Sequence, residues 1–258
     1  MPELPDLEVY CRNLRPKVGG QEIVSVVFHR EKRLNVTPEE LAGALQGTTI
    51  ERIQREGKEI WITFSNGRQL GVHLMLKGQF AVAEEDADVK YKVLTLGLGS
   101  GESMVIFDSL GWTILTLDPP TVTVPDALSE ALTVDYLRGQ LQVCRGMSVK
   151  TFLIEQDRLR GIGNAYSDEI LWHSRIAPES RCDRLPEEAI GRLTASIRTV
   201  LTEAIEQIDT QKPGIMGGEA REHMKVYTRK VCPNGLPIQC KDLDKRKTYF
   251  TTEQTLYS

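Results

Sequence analysis

Pro2 and Glu3 are the first residues of this chain that could do chemistry. Loss of Met1 would leave Pro2 with a free secondary amine, a nucleophile that forms an iminium with an aldehyde and then acts as an electron sink. Glu3, beside it, offers a carboxyl group for proton transfer. A Met-Pro start is common, so the pair alone carries little weight. A second segment, 148–173, reads as helix, tight glycine turn, helix. Gly161 and Gly163 allow a close backbone path, and the next helix begins near Asn164. The free N–H groups of a helix start, together with an Asn side chain, suit a phosphate, although an ordinary helix corner reads the same way. The third segment is 225–251. Asn234-Gly235 is a hairpin turn signal, and Arg246-Lys247 precede the β-type run Thr248-Tyr249-Phe250. Cys232 and Cys240 have seven residues between them, with His223 nearby, whereas structural zinc needs four ligands, so the hairpin is expected to hold no metal.

The elements that must position these residues change character along the chain. A helix is expected from about Pro5, with Leu7, Tyr10 and Leu14 on one face and Gly19-Gly20 as its stop. A short helix over 38–46 has Thr37 as N-cap and Glu40 completing a capping box. Strands are expected at 22–29, 49–54, 59–65, 69–74, 78–83, 90–97, 103–108 and 112–117, rich in Val, Ile, Thr and aromatics. Many short strands with turn signals between them predict a β-sandwich. After a Pro-rich linker at 118–126 the pattern becomes helical: 127–143, 148–156, 164–173 and 186–208, the last with Ile190, Leu193, Ile197, Leu201 and Ile205 in register. Two further β-type runs, 224–231 and 245–251, close the chain. The expected fold class is α+β, with a sandwich over 1–125, a helical domain over 126–220 and a β-hairpin over 221–258.

Composition sets the outer limits. The chain has 258 residues, 32 Lys and Arg, 36 Asp and Glu, and a formal charge of −4. Its 40% hydrophobic content is that of a soluble globular protein, and no apolar run reaches membrane-spanning length. The acidic start MPELPDLE does not read as a secretory leader, and five scattered cysteines do not form a disulfide framework. The net charge argues against nucleic acid, but it is unevenly spread. Residues 221–250 hold eight basic side chains against three acidic ones. A localised basic strip suffices to hold a few phosphates, in binding that is modest and salt-sensitive.

Taken in order, Met1-Pro-Glu-Leu-Pro-Asp-Leu-Glu8, Arg55-Glu-Gly-Lys58, His73-Leu-Met-Leu-Lys-Gly78, Gly161-Ile-Gly-Asn-Ala-Tyr166 and the Arg246 hairpin resemble the Fpg/Nei family. These are the formamidopyrimidine-DNA glycosylases and endonuclease VIII-like enzymes of base excision repair, and the resemblance spans essentially the whole chain. It implies a β-sandwich, a helix-two-turns-helix domain and a DNA-gripping hairpin finger. It also implies a bifunctional glycosylase and AP lyase whose Schiff base on the N-terminal proline leads to β- and δ-elimination. By this resemblance Pro2 is the nucleophile and Glu3 the acid/base. Lys58 is the lysine beside the reaction centre, and Asn164 and Arg246 clamp the phosphates flanking a flipped nucleotide. Attack at C1′ requires the base to leave the stack, which fits such a clamp.

The sequence departs from the family pattern at several points. The second cysteine pair of a zinc finger is replaced by Thr251-Thr252-Glu253-Gln254, so the finger resembles the zincless type; packing by Val226, Ile238, Tyr249 and Phe250 is expected to hold it. Leu76, with Met75 beside it, takes the place of the side chain that fills the void left by the flipped base. The loop that usually brings an arginine and a phenylalanine reads Asp108-Ser-Leu-Gly-Trp112, with Leu110 or Trp112 as substitutes. Asp6 replaces a glutamate at the lesion pocket, and 209–224 is short for a loop that caps 8-oxoguanine. Strict 8-oxoguanine:C specificity is therefore not expected, and formamidopyrimidines, oxidised pyrimidines and other lesions stay open. A non-catalytic damage binder and a monofunctional glycosylase remain as alternatives. Damaged DNA is the expected partner of a monomer without cofactor or membrane anchor, cytoplasmic and associated with the nucleoid if bacterial.

Overall fold

The computed structural model describes residues 1–30, 32–84 and 88–258. The chain divides into two compact units, one of residues 1–122 with 208–220, the other of 123–207 with 221–258.

The first unit begins with helix α1 (Leu4–Val18), which buries Leu7, Tyr10, Cys11 and Leu14. Strand β1 (Ile23–Phe28) leads to helix α2 (Pro38–Leu45), where the Thr37 hydroxyl accepts from the Glu40 N–H and the Glu40 carboxylate accepts from the Thr37 N–H. Seven strands follow: β2 (Ile50–Glu56), β3 (Glu59–Phe64), β4 (Gln69–His73), β5 (Gly78–Glu84), β6 (Lys92–Leu98), β7 (Glu102–Asp108) and β8 (Ile114–Leu117). They form two four-stranded antiparallel sheets, ordered β1-β6-β7-β5 and β2-β3-β4-β8. One core joins them: Ile60, Ile62, Leu70 and Val72 from one sheet meet Leu94, Leu96, Met104 and Ile106 from the other, with the apolar face of α1. This is the expected sandwich flanked by helices.

The second unit contains helices α3 (Val134–Val143), α4 (Val149–Ile154) and α5 (Asn164–His173), then most of α6 (Glu187–Gln211). It ends in a hairpin of β9 (Gln239–Leu243) and β10 (Arg246–Phe250). Asp244 and Lys245 form the turn, both with positive φ (49° and 63°), the backbone of a two-residue hairpin loop that matches strand twist.

Four details differ from the sequence expectation. Helix α3 starts at Val134 rather than 127, because Thr133 caps it through its hydroxyl and 127–132 is turned. Residues 224–231 are not a strand. The N–H groups of Lys225, Val226 and Tyr227 all donate to the Glu169 carboxylate of α5, at 2.8–2.9 Å, so none is available for a ladder. The strand that pairs with β10 is instead β9, whose sequence QCKDL shows no apolar alternation. In addition, residues 208–220, expected with the helical domain, cluster with the first unit.

Candidate active site

In the first unit, Pro2 and Glu3 lie immediately before α1, and both are buried. Glu3 is the N-cap. Its N–H donates to Asp6 Oδ2 at 2.8 Å, the return half of a capping box. Asp6, expected in the lesion pocket, is fully enclosed, and its other oxygen accepts from the Ala220 N–H at 3.3 Å. Its carboxylate fixes the backbone of Glu3 and offers no surface to a base. The Met1 ammonium is paired with Glu219.

Lys58 stands at the tip of the β2–β3 hairpin. Glu56 pairs with Glu59, leaving Gly57 and Lys58 as the two-residue turn, and Gly57 takes φ +60°. Arg55 holds this tip. Its guanidinium, nearly enclosed, donates to the Gly57 carbonyl at 3.2 Å and to Glu8 of α1 at 3.3 Å. The hairpin that carries Lys58 is thus tied to the helix that begins at Glu3. Arg55 was read only as part of a motif; its tie to Glu8 joins residues 47 positions apart and has no local signature.

Met75 and Leu76 occupy the turn between β4 and β5. Met75 is half-buried with φ +53°, and its N–H donates to His73 Nδ1, while Leu76 is exposed. The Asp108–Thr113 loop lies against this turn. Thr113 Oγ1 lies 3.3 Å from the Leu74 carbonyl oxygen, and a Cβ on Gly78 would come within 2.4 Å of both atoms. Asp108 organises that loop by accepting from the N–H groups of Leu110, Trp112 and Thr113 and from the Thr113 hydroxyl. Burial would push its carboxyl up, but these bonds outweigh it and hold the group below the usual carboxylate range. The two loops together present Leu76, Leu110 and Trp112, each more than 40% exposed.

In the second unit, Asn164 is the first residue of α5, after Gly161 (φ +103°) and Gly163. Gln156 staples the glycine turn: it accepts from the Gly161 N–H and donates to the carbonyls of Ile154 and Ile162. Asn164 Nδ2 donates to the Lys247 carbonyl at 3.0 Å, and the Lys150 Nζ reaches the same carbonyl at 3.4 Å. Asn164 is thereby brought to the strand that starts with Arg246, which is exposed. Beneath lies a buried ion pair, Lys150 Nζ to Asp168 Oδ1 at 2.6 Å, while Asp168 Oδ2 accepts from the Tyr249 N–H. Burial pushes Asp168 up to about 7 against the pull of Lys150. The hairpin is therefore anchored mainly by polar contacts. Val226 is buried, but Ile238, Tyr249 and Phe250 are only half-buried. His223, counted above as a third potential metal ligand, pairs instead with the Tyr166 hydroxyl at 3.1 Å; burial, then the Arg221 guanidinium, push it down to about 4.

With these geometries in place, comparison with known proteins is direct. The profile of the formamidopyrimidine-DNA glycosylase N-terminal domain matches residues 1–112, and that of the formamidopyrimidine-DNA glycosylase H2TH domain matches residues 124–213. The chain belongs to the formamidopyrimidine-DNA glycosylase family. A formamidopyrimidine-DNA glycosylase of Chloroflexus aurantiacus is 32% identical, over 97% of this chain and 96% of that one. Among solved structures, Fpg of Lactococcus lactis in complex with a THF-DNA and an inhibitor superposes with a TM-score of 0.87 at 27% identity, over 98% of this chain and 100% of that one. The same enzyme bound to abasic-site DNA gives 0.86 at 26% identity, over 97% and 98%. As a member of the formamidopyrimidine-DNA glycosylase family, the protein is a DNA-binding repair glycosylase. No helix among the described residues is long and apolar enough to cross a membrane.

Proposed function

We propose that this protein excises damaged bases and then nicks the strand, as a bifunctional glycosylase and AP lyase. Once Met1 is removed, the Pro2 nitrogen attacks C1′ of the damaged nucleotide and displaces the base. Glu3 protonates the opening sugar, and the iminium on Pro2 acidifies the sugar for β- and δ-elimination. Lys58, Asn164 and Arg246 bind backbone phosphates, which pins the strand without reading its sequence. Leu76, with Met75 behind it, enters the space vacated by the flipped nucleotide. Asp6 acts on the lesion side through Glu3, by fixing its backbone.

The observation that carries this reading is the placement of Pro2 and Glu3. They occupy a buried helix start, with Glu3 locked by Asp6, in a chain whose family works on DNA. Borohydride trapping on a duplex with an abasic site tests it. The protein lacking Met1 should be trapped covalently, and Pro2→Ala, whose free amine is primary and repositioned, should be trapped far more slowly. Absence of an adduct with the parent protein would defeat the reading.

The tip of the first unit exposes three large apolar or aromatic side chains alongside Lys77 and Ser109. Leu76, Leu110 and Trp112 are apolar or aromatic. This favours tolerance of the opposite base and argues against strict 8-oxoguanine:C specificity.

A further inference from the structure

Residues 215–220 form a strap within the first unit, bound along its length by contacts that the sandwich and α1 provide. Asn13 Nδ2 donates to the Ile215 carbonyl, and the Phe80 N–H donates to the Met216 carbonyl, both at 2.9 Å. Gly217 bridges to Gln79 so closely that a Cβ there would sit 2.5 Å from the Gln79 Cβ. The buried Tyr10 donates its hydroxyl to the Gly218 carbonyl, and the Ala220 N–H donates to Asp6. Gly218, with φ +84°, lets the backbone make this path. On either side of Glu219 the strap is held by its backbone. Glu219 engages the N-terminus through its side chain, at the Met1 ammonium.

We propose that Glu219 is the counter-charge of the N-terminal nitrogen, and that after Met1 is removed it faces the Pro2 nitrogen and stabilises the iminium formed there. This rests on the Pro2 reading above. Covalent geometry places the Pro2 nitrogen within about 4 Å of the nitrogen that Glu219 now contacts. Three rotatable bonds allow the carboxylate to follow it. At an abasic aldehyde the Pro2 nitrogen adds to C1′. The carbonyl oxygen leaves as water, taking the former N–H proton and one more from solvent, and the nitrogen keeps a positive charge. A carboxylate already fixed opposite that charge lowers the energy of the step without reorganising. An exposed ion pair without this role would contribute little.

The test uses full-length protein whose loss of Met1 is verified by mass, in the parent, Glu219→Gln and Glu219→Asp forms. Two quantities are compared: the rate of borohydride trapping on abasic-site duplex, and affinity for a tetrahydrofuran-site duplex, which has no aldehyde. Glu219→Gln should trap about tenfold more slowly. Its affinity for the tetrahydrofuran duplex should stay within about twofold of the parent, and Glu219→Asp should recover most of the rate. Parental trapping by Glu219→Gln overturns the proposal. So does a loss of rate matched by a loss of affinity and not recovered by Asp, which marks the strap as structural only. If the parent itself is not trapped, the Pro2 reading fails and this proposal with it.

Discussion

Trp112 shows how a single residue is prepared for work outside the protein. The residue is 42% exposed, yet its backbone N–H is held by Asp108 at 2.7 Å, so a largely apolar side chain stands on a fixed backbone. Stacking on a base is indifferent to base identity, because every base has a π-face. Excision should therefore vary by less than about tenfold when the opposite base is changed. Trp112→Ala should weaken binding to a damaged duplex by about 1–3 kcal/mol, read by titration against a tetrahydrofuran-site duplex. A large preference for one opposite base would show a polar reader elsewhere. Pro2, Glu3, Lys58, Asn164 and Arg246 stand at the ends or turns of elements, but only the helix start at Asn164 carried a local turn signal, and the family resemblance singled out Lys58 and Arg246. Asp6 was legible only as a residue type. Its commitment to the backbones of Glu3 and Ala220 depends on a partner 214 residues away. Glu219 was missed for the same reason, since nothing near it in the chain marks it.

At the scale of elements, the hairpin that carries Arg246 depends on Lys150. The ammonium and the Asp168 carboxylate are both almost fully enclosed, and Asp168 also holds the β10 backbone at Tyr249. Lys150→Met leaves that carboxylate buried without this ammonium and should cost about 3–5 kcal/mol in urea unfolding. The sign of the pH dependence follows. Asp168 in the folded protein titrates at about 7, above the ordinary aspartate value near 3.8, and losing Lys150 raises it further. A carboxyl raised on folding favours the native state at low pH, and that benefit is lost as pH rises through the folded pKa. The deficit of Lys150→Met should thus be smaller at pH 5 than at pH 8, and a deficit that grows toward low pH would contradict the assignment. Apolar periodicity announced the strands of the sandwich, where a shared core imposes it, and the long helix α6. It failed for β9 because an exposed hairpin need not alternate, and for 224–231 because Glu169 captures its N–H groups.

For the whole molecule, the charge distribution matters more than its sum. The net charge is −4, yet eight basic residues lie between 221 and 250. With three to five phosphates neutralised, log affinity for undamaged duplex should fall against log salt with a slope of about −3 to −5. Salt-independent binding would place the DNA contacts elsewhere. The shift between strand and helix patterns marks a change of character along the chain, whereas the clustering of 208–220 with the first unit has no local signature, since its ties to Tyr10, Asn13 and Phe80 are long-range. The pairing of Met1 with Glu219 also orders events in time. The two residues are 218 positions apart in the chain. A ribosome adding about 5–20 residues per second takes tens of seconds to make that stretch, so a methionine aminopeptidase meets a loose N-terminus long before its seat exists. Removal of Met1 is therefore open to the growing chain, before the carboxylate that its ammonium meets in the folded protein has been made.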